Sequence, residues 1–440
     1  MEILTFRTPG LGDTSYLLTH EGTGVLVDPQ RDIGRFLEAA EERDVELRFV
    51  LETHLHNDYV SGAEQAALTT GAELVLPAAA APAYRHTPAF HLEDLDGGGG
   101  LVVRPIHTPG HTPEHTSYLV LIDGEEVGVF SGGSLLVGSA GRPDLLGPER
   151  ADTLGRLQYI SINRLAQLPA NVDLFPTHGQ GSFCSASGSA KFTSTIGEQV
   201  RENPMLQYGS ADELATALTA ATMPIPAFYQ YMSPTNTLGV PPLPTAEVPS
   251  MTAQEALDSG AHLVDLRPRA AQSRGILPGS TAVELADDFG SWVGWLVPYN
   301  EPVVLIAEPD QDVDAALTQL AQIRFDEVAG LVTELGGVDL VQDFELVDLD
   351  RARSLVADGI QVLDVRMDSE LAEVRMPGAV ERFVAELFSR GVPEGLSRDE
   401  PVLIACRSGR RAAIAASRLT SEGYDVRVLD GAGVTELVGE

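Results

Sequence analysis

At 440 residues, 43% of them hydrophobic and 21% charged, the chain is a globular protein of roughly two to four domains, not a disordered one. Its formal net charge is −35, and of its 29 basic residues only Lys191 is a lysine, so nucleic acid and anionic lipid are excluded as partners. Two cysteines, Cys184 and Cys406, are too few for a disulfide framework; with no signal-peptide pattern in residues 1–7 and no apolar run approaching ~18 residues, a cytoplasmic protein without membrane spans is expected. A diffuse acidic surface names no ligand, but it makes any local cluster of arginines an exception.

Residues 10–18 and 24–29 read as two strands with a turn between them. Residues 34–42 form a short amphipathic helix, with Phe36, Leu37 and Ala40 on one side. The apolar half of residues 46–52 is a buried strand that delivers Thr53-His54-Leu55-His56-Asn57-Asp58-Tyr59. Two imidazoles at i and i+2, with a carboxylate two residues on, are donors that suit zinc or iron once the backbone leaves the pleat. The alanine-rich residues 61–70 are helical, and Gly71 is a plausible stop.

A second polar cluster, His107-Thr108-Pro109-Gly110-His111-Thr112-Pro113-Glu114-His115, is a tight loop, because its prolines and Gly110 exclude helix. Strands follow over 117–122 and 127–130, the latter running into Ser131-Gly132-Gly133-Ser134. A further strand end carries Thr177-His178-Gly179. Three strand-end loops thus carry His54, His56 and Asp58; His111; and His178.

This ordered set (HxHxD, Pro-Gly-His-Thr, Phe-Ser-Gly-x-Ser-Leu and a late His-Gly) resembles the metallo-β-lactamase fold hydrolases over residues 1–235. Val27-Asp28-Pro29, Gly141-Arg142-Pro143-Asp144-Leu145 and residues 226–232 resemble most the persulfide dioxygenase and glyoxalase II branch. The resemblance implies an αββα sandwich with a metal site at one edge. Two positions depart from the family: Tyr59 stands where its second loop histidine would be, and Gly133 replaces an aspartate that bridges or completes the metal site. A dinuclear centre is therefore not expected. His54, His56 and His111 remain as a three-histidine site for one iron or zinc ion, with Asp58 and His178 beside it to orient ligands or move protons. Tyr59, Arg142 and Cys184 are the candidate substrate contacts. His107 and His115 flank the His111 loop and are not expected to ligate.

Residues 232–249 carry five prolines, and 236–250 read as a linker. After it the chain repeats itself. Leu263-Val264-Asp265-Leu266-Arg267 matches Val362-Leu363-Asp364-Val365-Arg366 at an offset of 99 residues, as Leu277-Pro278-Gly279-Ser280 matches Met376-Pro377-Gly378-Ala379. Two α/β domains with parallel sheets are expected, over 251–342 and 343–440. In the second, the strand 402–405 runs into Cys406-Arg407-Ser408-Gly409-Arg410-Arg411 and then a helix. A cysteine there faces free N–H groups and the positive end of the helix dipole, and three arginines favour its thiolate.

This half resembles the rhodanese sulfurtransferases. The resemblance implies that Cys406 attacks a sulfane sulfur and carries it as a persulfide, which the backbone of 407–410 and Arg411 stabilise. The first copy has Ala307 or Glu308 in place of the cysteine, followed by Pro309, Asp310 and Asp312, and is read as non-catalytic. The function implied is a sulfur-handling enzyme: a metal domain oxidising a low-molecular-weight thiol persulfide to sulfite, coupled to a rhodanese that exchanges sulfur with thiosulfate or sulfite. The alternatives are a zinc thioester hydrolase of glyoxalase II type, or a metal-free N-terminal binding domain with only the rhodanese active. Assembly with copies of itself is also expected.

Overall fold

Strands whose neighbouring side chains are buried on opposite faces build the first half of the chain. The computed structural model describes residues 1–185, 191–220, 223–243, 247–340 and 344–439. Strands β1 (Glu2–Thr8), β2 (Asp13–His20), β3 (Thr23–Val27), β4 (Glu46–Leu51), β5 (Glu73–Pro77) and β6 (Thr87–Ala89) lie side by side in chain order. The first three pair antiparallel and the rest parallel. A second six-stranded sheet contains β7 (Leu95–Gly98), β8 (Leu101–His107), β9 (Thr116–Ile122) and β10 (Glu125–Gly132). After a small ribbon of β11 (Leu135–Leu136) and β12 (Ser139–Ala140), β13 (Asp173–Pro176) and β14 (Ser194–Thr195) complete it in the order β14-β13-β10-β9-β8-β7.

Three cores follow from the period of two. Tyr16, Leu18, Val25, Val27, Phe49 and Leu51 meet Leu101, Val103, Tyr118, Val120 and Phe130 between the sheets. Leu17, Leu26 and Val50, one residue out of phase, pack on the helices Gly34–Glu42 and Ala63–Thr70. On the far side Leu119, Leu121 and Val129 pack on the helices Pro148–Leu165 and Ala211–Ala220. Strands buried on both faces explain the near-continuous apolar runs in the sequence. The result is the expected αββα sandwich.

Met1–Leu243, with Ala321–Arg324, form one compact unit, and Pro244–Leu320 with Phe325–Glu440 form another. The second unit holds two parallel sheets. In the first, β15 (His262–Asp265), β16 (Thr281–Ala282), β17 (Val303–Ile306) and β18 (Val328–Val332) lie in the order β16-β15-β17-β18. In the second, β19 (Glu345–Val347), β20 (Gln361–Asp364), β21 (Val380–Glu381), β22 (Val402–Ala405) and β23 (Val426–Leu429) lie in the order β19-β23-β22-β20-β21. Asp265 pairs with Ile306 as Asp364 pairs with Ala405, so Ala307 is the counterpart of Cys406.

The linker reading is corrected at its start. Tyr229–Leu238 is a helix with Pro234 inside it, and Thr235 and Asn236 are buried. Proline content pointed to a linker, but the Asn236 amide is engaged in the sandwich: Nδ2 donates to His56 O and Tyr59 O at 2.9 Å each, and Oδ1 accepts from Ser61 N. Residues 239–243 and 247–249 have no regular structure, whereas 244–246 and the expected boundary at 342/343 lie outside the described residues. Among the described residues no helix is long and apolar enough to cross a membrane.

Candidate active sites

The loops after β4, β8 and β13 meet at one edge of the sandwich, and Asp28 holds two of them together. It follows β3 in a left-handed conformation, φ +49°. Its Oδ1 accepts Thr53 N–H at 2.7 Å; its Oδ2 accepts Thr53 Oγ1 at 2.7 Å and also Thr177 Oγ1. Hydrogen bonds to a charged group contribute on the order of 1.5–3 kcal/mol each. Here they fix the residues immediately before His54 and His178.

The hydrogen-bond network assigns the imidazole protons. Thr53 Oγ1 gives its proton to Asp28, so it accepts from His54 Nδ1 at 2.9 Å. His111 Nδ1 donates to Arg142 O at 2.9 Å. His178 Nδ1 faces two carboxyl oxygens, Asp13 Oδ1 at 2.8 Å and Asp58 Oδ2 at 3.3 Å. Each ring thus carries its proton on Nδ1 and presents a bare Nε2. The Nε2 atoms of His54 and His178 stand 3.2 Å apart, and that of His111 has no hydrogen-bond partner.

One ligand nitrogen from each of His54, His111 and His178 lies within 4.8 Å of the others, all fully buried. Lone pairs facing one another in a dry interior repel unless a cation lies among them. Burial, together with neighbouring imidazolium charge, keeps His54 and His111 well below the ordinary histidine range, and burial also lowers His178. Neutral rings with Nδ1 held by an oxygen are the form in which histidine binds zinc or iron, so these residues fit a single ion.

His56 is not in this group; it falls in two others that could hold an ion, His56 with Asp58 and His178, and His56 with Asp28 and Glu52. Its Nε2 lies 3.3 Å from Asp28 Oδ1 and 3.2 Å from Glu52 Oε2. Burial opposes its charge, but the two carboxylates outweigh burial and push its pKa well up, while His56 pulls Asp28 down. In that form His56 is an imidazolium held by two carboxylates, which favours His54, His111 and His178 as the ligand set. Tyr59, a candidate substrate contact in the sequence, is buried, its ring stacked on His56 at 4.3 Å and its hydroxyl donating to Asp28 O, so it props His56. The Arg142 guanidinium is buried on Asp144 and donates to Phe183 O and Met223 O. What Arg142 gives the site is its carbonyl.

Cys184 and Asp58 meet beside His178. The Cys184 thiol donates to Asp58 Oδ2 at 3.2 Å, and burial, with the charge of Asp58, raises its pKa well above the usual thiol range. Burial pushes Asp13 up to about 8; burial and the Asp13 charge push Asp58 up to about 6. A cation held by the three rings would draw both carboxyls down.

Gly133 has a steric reason. A Cβ there would stand 2.2 Å from His111 Cδ2, and one at Gly141 would stand 2.7 Å from His111 Nδ1. The His111 ring lies between two glycines and fills the space that an aspartate side chain at 133 would need. The Gly133 N–H donates to His115 Nε2 at 2.9 Å, and His115 Nδ1 pairs with Thr108 Oγ1. His115 therefore orients the glycine, with both ring nitrogens engaged in hydrogen bonds.

In the second unit Cys406 closes β22, and Gly409, at φ +96°, turns the chain into the helix Arg410–Ser421. Gly409 N–H donates to Cys406 Sγ at 3.1 Å, and the sulfur is buried. Its N-cap residue, Gly409, has no side chain with which to cap it, which leaves the first N–H groups free of that partner and suited to an anion. Arg411 makes two hydrogen bonds of 2.6 Å to Glu370, and Arg410 Nη1 lies 2.6 Å from Asp288. Arg407 and Ser408 are exposed.

Residues 8–178 match the metallo-β-lactamase superfamily, and residues 348–434 match the rhodanese-like domain. A hydroxyacylglutathione hydrolase of Acidiphilium cryptum is 30% identical over 224 residues, 48% of this chain and 92% of its own length. The chain belongs to the metallo-β-lactamase superfamily. A probable metallo-hydrolase of Burkholderia pseudomallei is 28% identical over 261 residues, 50% of this chain and 86% of its own. Among solved structures, a metallo-β-lactamase from Staphylococcus aureus subsp. aureus COL is 26% identical with a TM-score of 0.70, covering 76% of this chain and 99% of that one. This coverage exceeds the share of the chain in the first unit, so the likeness extends into the second.

For a member of this superfamily, the residues that sequence reasoning missed are those holding the ligands. Asp28 was visible only as part of a motif. Glu52 ends a strand without any pattern, and Asn236 sits in a stretch that composition marks as linker. Asp13 carries no signal beyond its place at the start of β2.

Proposed function

We propose that the chain is a sulfur-handling enzyme in which a one-metal centre acts on a low-molecular-weight thiol persulfide and Cys406 transfers sulfane sulfur. The observation that carries this reading is the Cys406 loop: a buried sulfur accepts a backbone N–H at an uncapped helix start. Such a loop supports a sulfur-carrying role for Cys406. Tethering to the metal domain then has a use, because a shared persulfide is held at high effective concentration.

At Cys406 the thiolate attacks the outer sulfur of thiosulfate. The S–S bond of the donor breaks, sulfite leaves with the electron pair, and Cys406 holds a persulfide anion. An acceptor thiolate or cyanide then attacks the outer sulfur and releases the Cys406 thiolate. Gly409 N–H and the helix start stabilise the anion in both forms.

In the first unit His54, His111 and His178 would hold the ion. Iron there would supply the redox chemistry of sulfur oxygenation, whereas zinc would supply an activated water. Asp13 and Asp58 keep the proton of His178 on Nδ1, Arg142 O does the same for His111, and Asp58 Oδ2 receives the Cys184 thiol proton. A second reading, thioester hydrolysis, is favoured by the hydroxyacylglutathione hydrolase relative.

Metal analysis tests the ligand set. About one ion per chain is expected in wild type and in His56→Gln, and almost none in His178→Ala. Metal lost with His56 but kept without His178 would overturn the assignment. Oxygen uptake with a thiol persulfide by the iron-loaded protein supports the leading reading. Thioester cleavage without oxygen uptake would replace it with the second.

A further inference from the structure

The sequence gives the Cys406 loop three arginines, but the structure leaves it far less positive. Arg411 is paired within its own copy: burial works against its charge, and the two hydrogen bonds to Glu370 more than offset this. Arg410 is paired by the Cys-less copy, whose Asp288 Oδ1 lies 2.6 Å from its Nη1. Asp288 is itself aimed, because its Oδ2 accepts Trp292 Nε1–H at 3.0 Å. The rings of Trp292 and Trp295 pack on Phe383, at 6.3 and 5.4 Å between centroids.

Two more contacts come from the same copy. Arg269 pairs with Asp430 at 2.7 Å, and a Cβ at Gly409 would stand 3.0 Å from Asp430 Oδ1. Ala282 N–H donates to Ser417 Oγ on the helix that begins at Arg410. The Cys-less copy therefore touches the helix that follows Cys406 at separate points, and one of these contacts pairs Arg410, at the start of that helix, with a carboxylate.

We propose that Asp288 is a specificity-determining residue of the Cys406 site: by pairing with Arg410 it lowers the positive charge that meets the sulfur donor, and so disfavours a doubly charged donor relative to a singly charged persulfide. This rests on the sulfurtransferase reading above. The pair is partly exposed, at 42% and 39%, so solvent screens it and the effect is a factor of a few, not of thousands.

The test is steady-state kinetics of the full chain with cyanide as acceptor and two donors, thiosulfate and 2-mercaptoethanol persulfide. In Asp288→Asn the KM for thiosulfate should fall about three- to ten-fold, with kcat unchanged within about two-fold. The KM for the persulfide should move by less than about two-fold, and the difference should shrink as salt is raised. Asp288→Glu should restore the wild-type ratio. Should Asp288→Asn fail to fold, Trp292→Phe removes only the N–H that aims the carboxylate and should shift the ratio in the same direction. An unchanged or raised thiosulfate KM, or an equal shift for both donors, overturns the proposal. Transfer from neither donor by wild type would instead remove the sulfurtransferase reading, and this proposal with it.

Discussion

The two copies in the second unit share a scaffold and differ in how their loops use backbone donors. Each keeps an aspartate–arginine clamp at the end of its second-position strand. Arg267 holds both oxygens of Asp265 and donates to Gly275 O; Arg366 holds both oxygens of Asp364 and donates to Val374 O. After the next strand they diverge. In the Cys-less copy Glu308 N–H goes to Gln311 Oε1, Ala315 N–H goes to Asp312 Oδ1, and Pro309 has no N–H at all. In the other, Gly409 N–H goes to sulfur and no side chain caps the helix. One loop satisfies its donors with its own side chains; the other leaves them for a ligand. On the proposed reading, an anion site is made here as much by omitting caps as by adding a cysteine.

The largest effect expected from this contrast is on sulfur transfer. Cys406→Ser should lower thiocyanate formation from thiosulfate and cyanide by at least about a thousand-fold, since no second sulfur is offered by the Ala307 loop. Metal content should stay at the wild-type value. Substantial activity surviving that change would mean that the nucleophile lies elsewhere.

Next comes the clamp. Removing one partner of a buried ion pair costs roughly 3–5 kcal/mol, because the other charge is left unpaired. Arg366→Ala and Arg267→Ala should both lower the thermal midpoint of the second unit. The former should lower it more, since Arg366 is 5% exposed against 12% for Arg267. Calorimetry of the full chain reads both. A large effect in one copy and none in the other would break the view that the clamp is common scaffold.

The same contrast explains what could be read from the sequence. Cys406, Gly409 and the helix start lie within a few residues, so local chemistry was legible; so was the duplication, because its offset of 99 residues holds for the Asp–x–Arg and Pro–Gly segments alike. The αββα layers were implied by the family resemblance that the ordered loops carry, and the period-two burial of the strands agrees with them. The candidate metal centre was only half legible. His54 and His111 stood out, but spacing cannot say which way a ring turns. His56 is turned by Asp28 and Glu52, one of them 28 positions upstream, and His178 is turned inward by Asp13, 165 positions away. Asn236 shows the same limit: a side chain that braces the His56 loop lies where prolines suggested a linker.

The smallest expected effect is the most discriminating. If the missing cysteine alone silenced the first copy, Ala307→Cys in a Cys406→Ser background would restore transfer, because β17 places residue 307 where β22 places 406. A cavity of about 670 Å³, lined in part by Ala307, opens over this loop. Its lining, however, includes Glu308 and Asp310, which repel an anionic donor, and the N–H groups that would stabilise a persulfide are occupied by Gln311 and Asp312. The new thiol should therefore be alkylated readily, yet support less than about 1% of wild-type transfer. Alkylation without transfer keeps the argument that caps and charge, not only the cysteine, separate the copies. Transfer at a tenth of the wild-type rate or more would reduce the difference between the two loops to a single atom.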